Sequence, residues 1–352
     1  MSCFKASIYH KTNINLLLSA FMETVVSGIR STGNLHLGNY FGAIQNFIKL
    51  QNTHHCFFFI ADYHSLTTHP NPVDLHKNVR EVLIEYLAVG LDPEKATLFV
   101  QSDLPELTEL YLFLNMNAYL GELQRSASFK DKVRSQPDNV NAGLLTYPAL
   151  MAADILIHKG THVPVGKDQE QHLEMARNFA GRFNRMYQVD YFPEPHAFNF
   201  GSSLVKVPGL DGKGKMSKSE GEGNAIFLKD SPEIIRKKIM KAVSDSGPSI
   251  PNQKKSPAAK NLFDLLSLCT DPKTIKFFDQ EHKNGTIRYG DLKKQLAEDL
   301  INFLKPIQEK IKEFSENPVF VREVARLGAA KARISAQKTI REVREIIGFK
   351  PF

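Results

Sequence analysis

The feature that most constrains the fold is a short β-branched segment that runs into a glycine-containing turn. Residues 24–29 (TVVSGI) are typical of a buried strand. The turn covers residues 30–39, and helical spacing of apolar residues from Tyr40 predicts a helix that opens near Gly38 and Asn39. A strand, a turn and a helix N-terminus bind phosphate well, because free backbone N–H groups and the helix dipole point at the turn. No GxGxxG is present, which argues against a dinucleotide fingerprint.

Strands and helices continue to alternate after this unit. Further buried strands are predicted at residues 56–61, 97–101 and 163–165. Helices are predicted with a cap at Asp74, over residues 105–132, from Tyr147-Pro148, and after His172. This alternation predicts an α/β fold, a Rossmann-like, doubly wound parallel sheet that occupies residues 24–228 as a catalytic domain. Asp62 and His64 follow the second strand, at the sheet edge where ligands bind in such folds.

A glycine-rich segment, residues 209–223, carries two lysines three residues apart, Lys215 and Lys218. Lysine is almost never fully buried without a partner, and the glycines allow close approach to a ligand. Two ammonium groups on a flexible loop suit a polyphosphate whose charge increases and then departs. Taken alone, the segment is more typical of a solvated basic loop.

From residue 229 onward the pattern is wholly helical, which predicts a second domain over residues 229–352. This domain holds 25 Lys+Arg and 16 Asp+Glu, a net charge of +9, whereas residues 1–228 have a net charge of −2. A basic domain beside a near-neutral one suggests a polyanionic partner, although lysines scattered for solubility are the alternative. We also predict that the last helix packs back on the catalytic domain.

Composition limits the cellular setting. No apolar run is as long as a membrane helix. Three widely spaced cysteines form no CxxC pair, which argues against structural zinc and disulfides and favours a reducing compartment. Residues 1–23 have no long apolar core and no arginine, so we interpret them as a disordered or untranslated extension. The predicted location is cytoplasmic; it becomes the mitochondrial matrix if residues 1–23 are a presequence.

Two motifs in this order resemble a known family. His36-Leu-Gly-Asn39 is similar to the HIGH motif of class I aminoacyl-tRNA synthetases, and Lys215-Met-Ser-Lys-Ser219 matches their KMSKS motif. Between them, segments 143–148, 150–156 and 163–166 look like the tryptophanyl-tRNA synthetase family of bacterial or organellar type. The resemblance covers about residue 24 to the end and implies a tryptophan–tRNA ligase.

The resemblance assigns the amino-acid pocket residue by residue. Asp154 would accept a hydrogen bond from the indole N–H, a donor that phenylalanine lacks, and a buried carboxylate left unpaired is costly. Tyr147 and Gln169 would hold the substrate ammonium and carboxylate groups, with His64 nearby. The remaining substrate-binding positions that it implies are Gly28, Arg30, Met151, Val163 and Val165. Arg30 stands where some members have glutamine, so its contact is left open.

The resemblance also implies an ATP site. The catalytic residues would be Lys132, Lys215 and Lys218, which neutralise the departing pyrophosphate. The ATP-binding positions would be His36, Gly38, Asn39, Gly166, Asp168, Lys215, Met216, Ser217 and Lys218. Ser31 stands where the family often has proline, which makes the turn less rigid. Magnesium would arrive with the nucleotide, and no protein metal site is expected.

The expected partners are L-tryptophan, ATP and tRNA(Trp), with a homodimer as the assembly and neither DNA nor a membrane as a partner. Three alternatives remain at this point. A tyrosyl-tRNA synthetase shares the fold but needs a phenol-binding pocket. A non-enzymatic RNA-binding protein on the same fold would have lost signature residues, which are present here. A nucleotidyl transferase shares the first motif but does not need the basic helical domain.

Overall fold

The computed structural model describes residues 23–135, 137–164, 166, 169–198, 205–212, 214–218 and 221–350. The predicted extension therefore lies outside the described residues, apart from Glu23. Within the described ranges, no helix is both long enough and apolar enough to cross a membrane.

A five-stranded sheet with strand order β3-β2-β1-β4-β5 forms the centre of the fold, and all of its paired strands are parallel. The strands are β1 (Thr24–Arg30), β2 (His55–Ala61), β3 (Ala96–Val100), β4 (His162–Val163) and β5 (His196–Ala197). The strand order reverses between β1 and β4, which is where open α/β sheets bind ligands. The predicted doubly wound sheet is confirmed.

Among the described residues up to 187, nine α-helices accompany the sheet. They are α1 (Leu37–Asn39), α2 (Gln45–Leu50), α3 (Asp62–Ser65), α4 (Pro72–Ala88), α5 (Pro105–Met116), α6 (Leu120–Arg125), α7 (Ala127–Ser135), α8 (Ala142–Leu156) and α9 (Glu170–Tyr187). A π-helical turn, Tyr40–Ile44, joins α1 to α2. A 3₁₀ turn, Gln101–Asp103, follows β3.

Several helix boundaries differ from the sequence predictions, each for a local reason. The cap of α4 is Asn71, whose side chain accepts from Val73 N–H, and Asp74 lies in the first turn instead. The predicted helix over residues 105–132 is three helices, α5 to α7. Pro148 does not open a helix but lies inside α8, which Asn141 caps by accepting from Leu144 N–H.

Five helices complete the described chain: α10 (Pro232–Lys241), α11 (Pro257–Cys269), α12 (Pro272–Asn284), α13 (Tyr289–Glu316) and α14 (Pro318–Ile347). The sequence prediction missed α12, which begins with an Asp271 cap that accepts from Lys273 and Thr274 N–H. Each of these helices except α13 has proline at its first position, where the missing N–H costs nothing.

Side chains alternate between two cores on the two faces of the sheet. Val25 and Phe58 belong to the core shared with α4 and α10 to α13, whereas Val26 and Phe57 face α5, α8, α9 and α14. Successive strand residues point to opposite faces, so strands buried on both sides are apolar throughout.

The last helix, α14, covers the edge strand β3. A Cβ at Gly328 would lie 1.6 Å from the Leu98 carbonyl oxygen, so only glycine permits this approach. Lys331 and Arg333 donate to the carbonyl oxygens of Pro93 and Asp103. The helix therefore packs against the sheet domain, with part of its basic charge engaged there.

Candidate active site

The turn after β1 leads into a helix start that is capped by its own histidine. His36 Nδ1 accepts from Asn39 N–H at 3.3 Å, and Asn39 Oδ1 accepts from His36 N–H at 3.1 Å. This reciprocal pair is a capping box that fixes the first turn of α1. Leu37 N–H donates to the Ile226 carbonyl at 3.0 Å, so the segment after the lysine loop pairs with this helix start.

His36 is held in its neutral form. Burial, together with the positive charges of Lys218 and Lys215, lowers the pKa of His36 to about 4. A Cβ at Gly38 would lie 2.8 Å from the His36 ring and 3.4 Å from the Met216 carbonyl oxygen. Glycine at this position therefore lets the helix start, the histidine and the lysine loop meet.

The lysine loop is anchored on both sides of its lysines. Met216 is buried, and its N–H donates to the Val207 carbonyl at 2.8 Å. Asn224 Oδ1 accepts from Asp211 N–H, and a Cβ at Gly209 would lie 2.5 Å from the same oxygen. The anchors leave Lys215 exposed and Lys218 half-buried.

Lys218 reaches the phosphate-binding turn. Its Nζ donates to the Thr32 carbonyl at 3.4 Å and lies 5.6 Å from the Phe227 ring centroid. Burial lowers the pKa of Lys218 to about 8, and the negative charge of Glu85 acts in the opposite direction. The structure thus brings together the two motifs that are 182 positions apart when counted from His36 to Lys218.

A pocket of about 240 Å³ opens at the carboxyl ends of β1 and β4. Its lining includes most of the residues predicted to bind the amino acid and one predicted to bind ATP: Gly28, Arg30, His64, Tyr147, Met151, Asp154, Val163, Gln169 and Gly166. A Cβ at Gly28 would lie 2.5 Å from the Phe59 ring, so glycine keeps this wall open. Val165 and Asp168 lie outside the described residues.

Asp154 lies in this pocket with both carboxylate oxygens hydrogen-bonded. Oδ2 is 2.7 Å from His64 Nε2, and Oδ1 accepts from Gln101 Nε2 at 2.7 Å. The side chain is 4% exposed. Burial raises the pKa of Asp154, whereas the bonds from His64 and Gln101 lower it. The carboxylate is fixed in place, and each oxygen keeps a second lone pair for a ligand donor.

Two buried nitrogen atoms at this pocket have no hydrogen-bond partner among the described residues, Arg30 Nε and His64 Nδ1. Arg30 donates through Nη2 to Thr67 Oγ1 at 3.5 Å, and the His64 ring centroid is 4.4 Å from that of Tyr147. Buried polar atoms normally find a hydrogen-bond partner, so these two nitrogen atoms suit a polar ligand.

A hydrogen-bonded chain leads from the pocket toward α7. Gln169 Oε1 is 2.9 Å from His172 Nδ1, and His172 Nε2 is 2.6 Å from Ser128 Oγ. Lys132 lies one turn further along α7 and is partly exposed. The chain fixes the orientation of Gln169 at the pocket.

Comparison with known proteins identifies the family. The family model described as "tRNA synthetases class I (W and Y)" matches residues 22–305. The chain belongs to this family of class I tRNA synthetases. A tryptophan–tRNA ligase from Porphyromonas gingivalis is 61% identical over 329 residues, which cover 94% of this chain and 100% of that protein. One from Clostridium tetani is 42% identical over 329 residues, 93% of this chain and 96% of that protein.

A solved structure extends the likeness to three dimensions. The tryptophanyl-tRNA synthetase from Campylobacter jejuni, complexed with ADP and tryptophan, is 35% identical, covers 93% of this chain and 100% of its own, and has a TM-score of 0.82. A tyrosyl-tRNA synthetase from Archaeoglobus fulgidus is 21% identical with a TM-score of 0.62, which shows a shared fold alone. The resemblance to tryptophanyl-tRNA synthetases is confirmed.

One functional neighbour in this synthetase was missed from the sequence, Gln101. It contacts Asp154 through Nε2, and its Oε1 accepts from Tyr63 N–H at 3.1 Å. The only available signal was its place at the end of the predicted third strand, at the ligand-binding edge of the sheet. The roles of the individual predicted residues stay predictions.

Proposed function

We propose that this chain activates L-tryptophan with ATP and transfers it to the 3′ adenosine of tRNA(Trp). The observation that carries the proposal is the buried Asp154 carboxylate, fixed by two hydrogen bonds in a pocket beside the phosphate-binding turn. A fixed acceptor stabilises a bound indole N–H and weakens the binding of side chains that have no donor. The family and the relatives named above support the same reaction.

The amino-acid side of the site positions the substrate. Asp154 accepts the indole N–H, Met151 and Val163 contact the ring, and Tyr147 with Gln169 holds the ammonium and carboxylate groups. Arg30 lies at the pocket with its Nε unpaired among the described residues, which suits the substrate carboxylate or a phosphate oxygen. The substrate carboxylate is thereby presented to the α-phosphate.

The phosphate side stabilises charge. The tryptophan carboxylate attacks the α-phosphate in line; the carboxylate O–P bond forms as the bond to pyrophosphate breaks. The carboxylate is already charged, so no protein base is needed, and catalysis consists of positioning and charge stabilisation. His36, Gly38 and Asn39 hold the nucleotide at the helix start, and Lys215, Lys218 and Lys132 neutralise the pyrophosphate.

ATP enters as its magnesium complex in this proposal. Among the described residues, no group of three or more His, Cys, Asp or Glu side chains could hold a metal ion. The neutral His36 and the lysines of the loop suit nucleotide oxygens rather than a cation. Magnesium is therefore part of the substrate, bound to ATP.

The helical region provides the positive charge for tRNA. Several basic side chains of α14 are engaged inside the chain: Lys331 and Arg333 with backbone carbonyls and Arg344 with Glu109. Exposed lysines on and beside α10 to α12 supply further charge for the phosphate backbone: Lys237, Lys241, Lys254, Lys260, Lys273 and Lys276. The anticodon bases would be read unpaired.

A second copy of the chain completes the assembly that we propose. The surface formed by α5, the turn after it and α6 exposes four large apolar side chains: Leu112, Met116, Tyr119 and Leu120. Such a patch on a chain of this kind suits a protein partner, and a homodimer buries it against itself. We further propose a cytoplasmic location, which rests on the bacterial relatives named above.

The test is amino-acid-dependent exchange of labelled pyrophosphate into ATP, with tryptophan, tyrosine and no amino acid in parallel. We expect exchange with tryptophan alone, and charging of tRNA(Trp) that falls steeply with salt. Light scattering on the same sample measures the mass, which should be twice that of the chain. Exchange with tyrosine only, or none from a folded protein, contradicts the proposed reaction.

A further inference from the structure

One carboxylate outside the predicted site lies directly beneath both signature motifs. Glu85 of α4 is fully buried, and its Oε2 accepts from Leu35 N–H at 2.7 Å. Leu35 O accepts from Leu228 N–H at 2.9 Å, so the peptide groups before His36 are held from two sides. Fully buried glutamates are rare unless they are paired, which calls for an explanation of Glu85.

The second carboxylate oxygen of Glu85 faces the ammonium group of Lys229. Oε1 has no hydrogen bond among the described residues, and Lys229 Nζ lies 3.9 Å away. Lys229 is itself paired with Glu81, one turn earlier on α4. The direct hydrogen bond of Glu85 is therefore the one that it accepts from the backbone before His36.

Lys218 contacts the same turn from the lysine loop. Its Nζ donates to the Thr32 carbonyl, three residues before Leu35, so α4 and the lysine loop hold opposite sides of one turn. A Cβ at Gly33 would lie 3.5 Å from Asn78 Oδ1 of α4 and 3.7 Å from Lys218 Nζ. The turn is thus clamped between the two elements.

We propose that Glu85 is a positioning residue for ATP activation: its side chain accepts from Leu35 N–H and so fixes the backbone before His36, on the turn that Lys218 holds from the other side. The inference rests on the proposed function. Glu85 touches neither substrate, since it acts through Leu35. The geometry of the helix start thereby depends on one buried side chain.

The pKa of Glu85 points to the hydrogen bond, not to a charge, as the source of its effect. Burial raises this pKa to about 8, and the Leu35 N–H and the positive charge of Lys218 act against the rise. The carboxyl group is therefore mostly protonated at neutral pH, and a protonated carboxyl group still accepts a hydrogen bond from Leu35 N–H. Charged or titratable groups around Glu85 and Lys218 include Lys229, Glu81, Lys77 and Arg80 on the side of Glu85, and His36, Lys215 and Lys238 on the side of Lys218.

Two variants separate the hydrogen bond from the rest of the side chain. Glu85→Gln keeps an acceptor for Leu35 N–H and nearly the same volume. Glu85→Ala removes the acceptor. Glu81→Gln is the matched control, because it removes a carboxylate from the same helix that has no bond to Leu35.

The experiment measures kcat/KM for ATP in tryptophan-dependent exchange at about pH 7. We expect Glu85→Ala to lower kcat/KM for ATP about tenfold, because the backbone before His36 is no longer fixed, and Glu85→Gln to stay within about twofold of wild type. The KM for tryptophan should stay within about twofold. Glu81→Gln should match wild type.

One readout does not require activity, so the proposed function can fail separately. Hydrogen exchange of residues 30–37 reports the Leu35 amide. Glu85→Gln and Glu81→Gln should retain the protection of this amide, and Glu85→Ala should lose it. Retained protection in Glu85→Ala, or lost protection with an unchanged kcat/KM for ATP, overturns the proposal.

Discussion

The two halves of the site hold their charges in different ways. On the amino-acid side, Asp154 is buried and bonded at both oxygens by side chains, His64 and Gln101. On the phosphate side, the cations are half-buried or exposed, and Lys218 contacts only a backbone carbonyl and an aromatic face in the contacts described above. A carboxylate that is fixed in place selects the amino acid. A cation that is held weakly can move toward the negative charge that develops on the phosphates during the reaction.

The largest expected effect is on the fixed side. Asp154→Ala removes the acceptor and leaves His64 Nε2 and Gln101 Nε2 unpaired in a buried site, so kcat/KM for tryptophan in pyrophosphate exchange should fall about 10³-fold, or about 4 kcal/mol. Asp154→Asn keeps the shape and should lose less. Saturation by ATP, measured in the same assay, should change little in either variant.

Equal losses in the KM for tryptophan and the KM for ATP would contradict this division of the site. Asp264→Asn serves as the control, since this aspartate lies on α11 and does not line the pocket. Its kinetic constants should equal those of wild type.

The next effect concerns the weakly held cation. Lys218→Ala should lower kcat about 10²-fold while the KM for tryptophan stays constant, because the interaction is made mainly in the transition state. Steady-state exchange with each substrate varied separately measures both constants. Lys206→Ala, an exposed lysine nearby in sequence, is the control. A rise in the KM for tryptophan in the Lys218 variant would show that the halves are not independent.

In both halves the sequence pointed to single residues but not to their partners. The family resemblance assigned Asp154 and Tyr147, and the motif of the lysine loop pointed to Lys218, because short motifs are local signals. The partners of those residues are long-range: Gln101 is 53 positions from Asp154, and Glu85 is 50 positions from Leu35. Glu85 lies among apolar residues of α4, and a helical pattern does not tell which buried position tolerates a charge. Such contacts depend on packing that only the fold supplies.

Helix starts show the same limit. Pro148 was predicted to open a helix because proline favours the first turn, yet Asn141, seven positions earlier, caps α8. The Asn141 side chain decides the boundary, and the helix accepts the missing N–H of Pro148 in its interior. Tertiary packing of the buried α8 outweighs the local cost of the proline.

A smaller effect probes the junction of the halves. Gly38→Ala places a methyl group 2.8 Å from the His36 ring and 3.4 Å from the Met216 carbonyl oxygen, so the ring must move. We expect the KM for ATP to rise about tenfold and the KM for tryptophan to remain unchanged. Gly42→Ala is the matched control, because its methyl group meets only the Val205 carbonyl oxygen at 3.8 Å. Equal behaviour of the two variants would refute the close-approach argument.

The smallest effect is a pH dependence of stability from the phosphate side. The pKa of His36 is lowered from 6.5 to about 4, so between these values the unfolded chain binds more protons than the folded chain. The free energy of unfolding therefore rises with pH across this window and is lost as pH falls from 6.5 toward 4, by at most about 1.4 kcal/mol per pH unit for this group. His36→Asn keeps a side chain that caps helices well but does not titrate.

Urea unfolding of wild type and His36→Asn at pH 7 and pH 5 checks this expectation. The variant should lose less free energy of unfolding than wild type between the two pH values, by about 1 kcal/mol. The cause is specific to the phosphate side, because the lowering of the His36 pKa comes from burial together with the loop lysines. Lys218→Ala should therefore shrink the same difference. If Lys218→Ala matches wild type while His36→Asn differs, Lys218 does not act on His36 in solution. An identical pH dependence in all three proteins would mean that His36 contributes nothing to stability in this window.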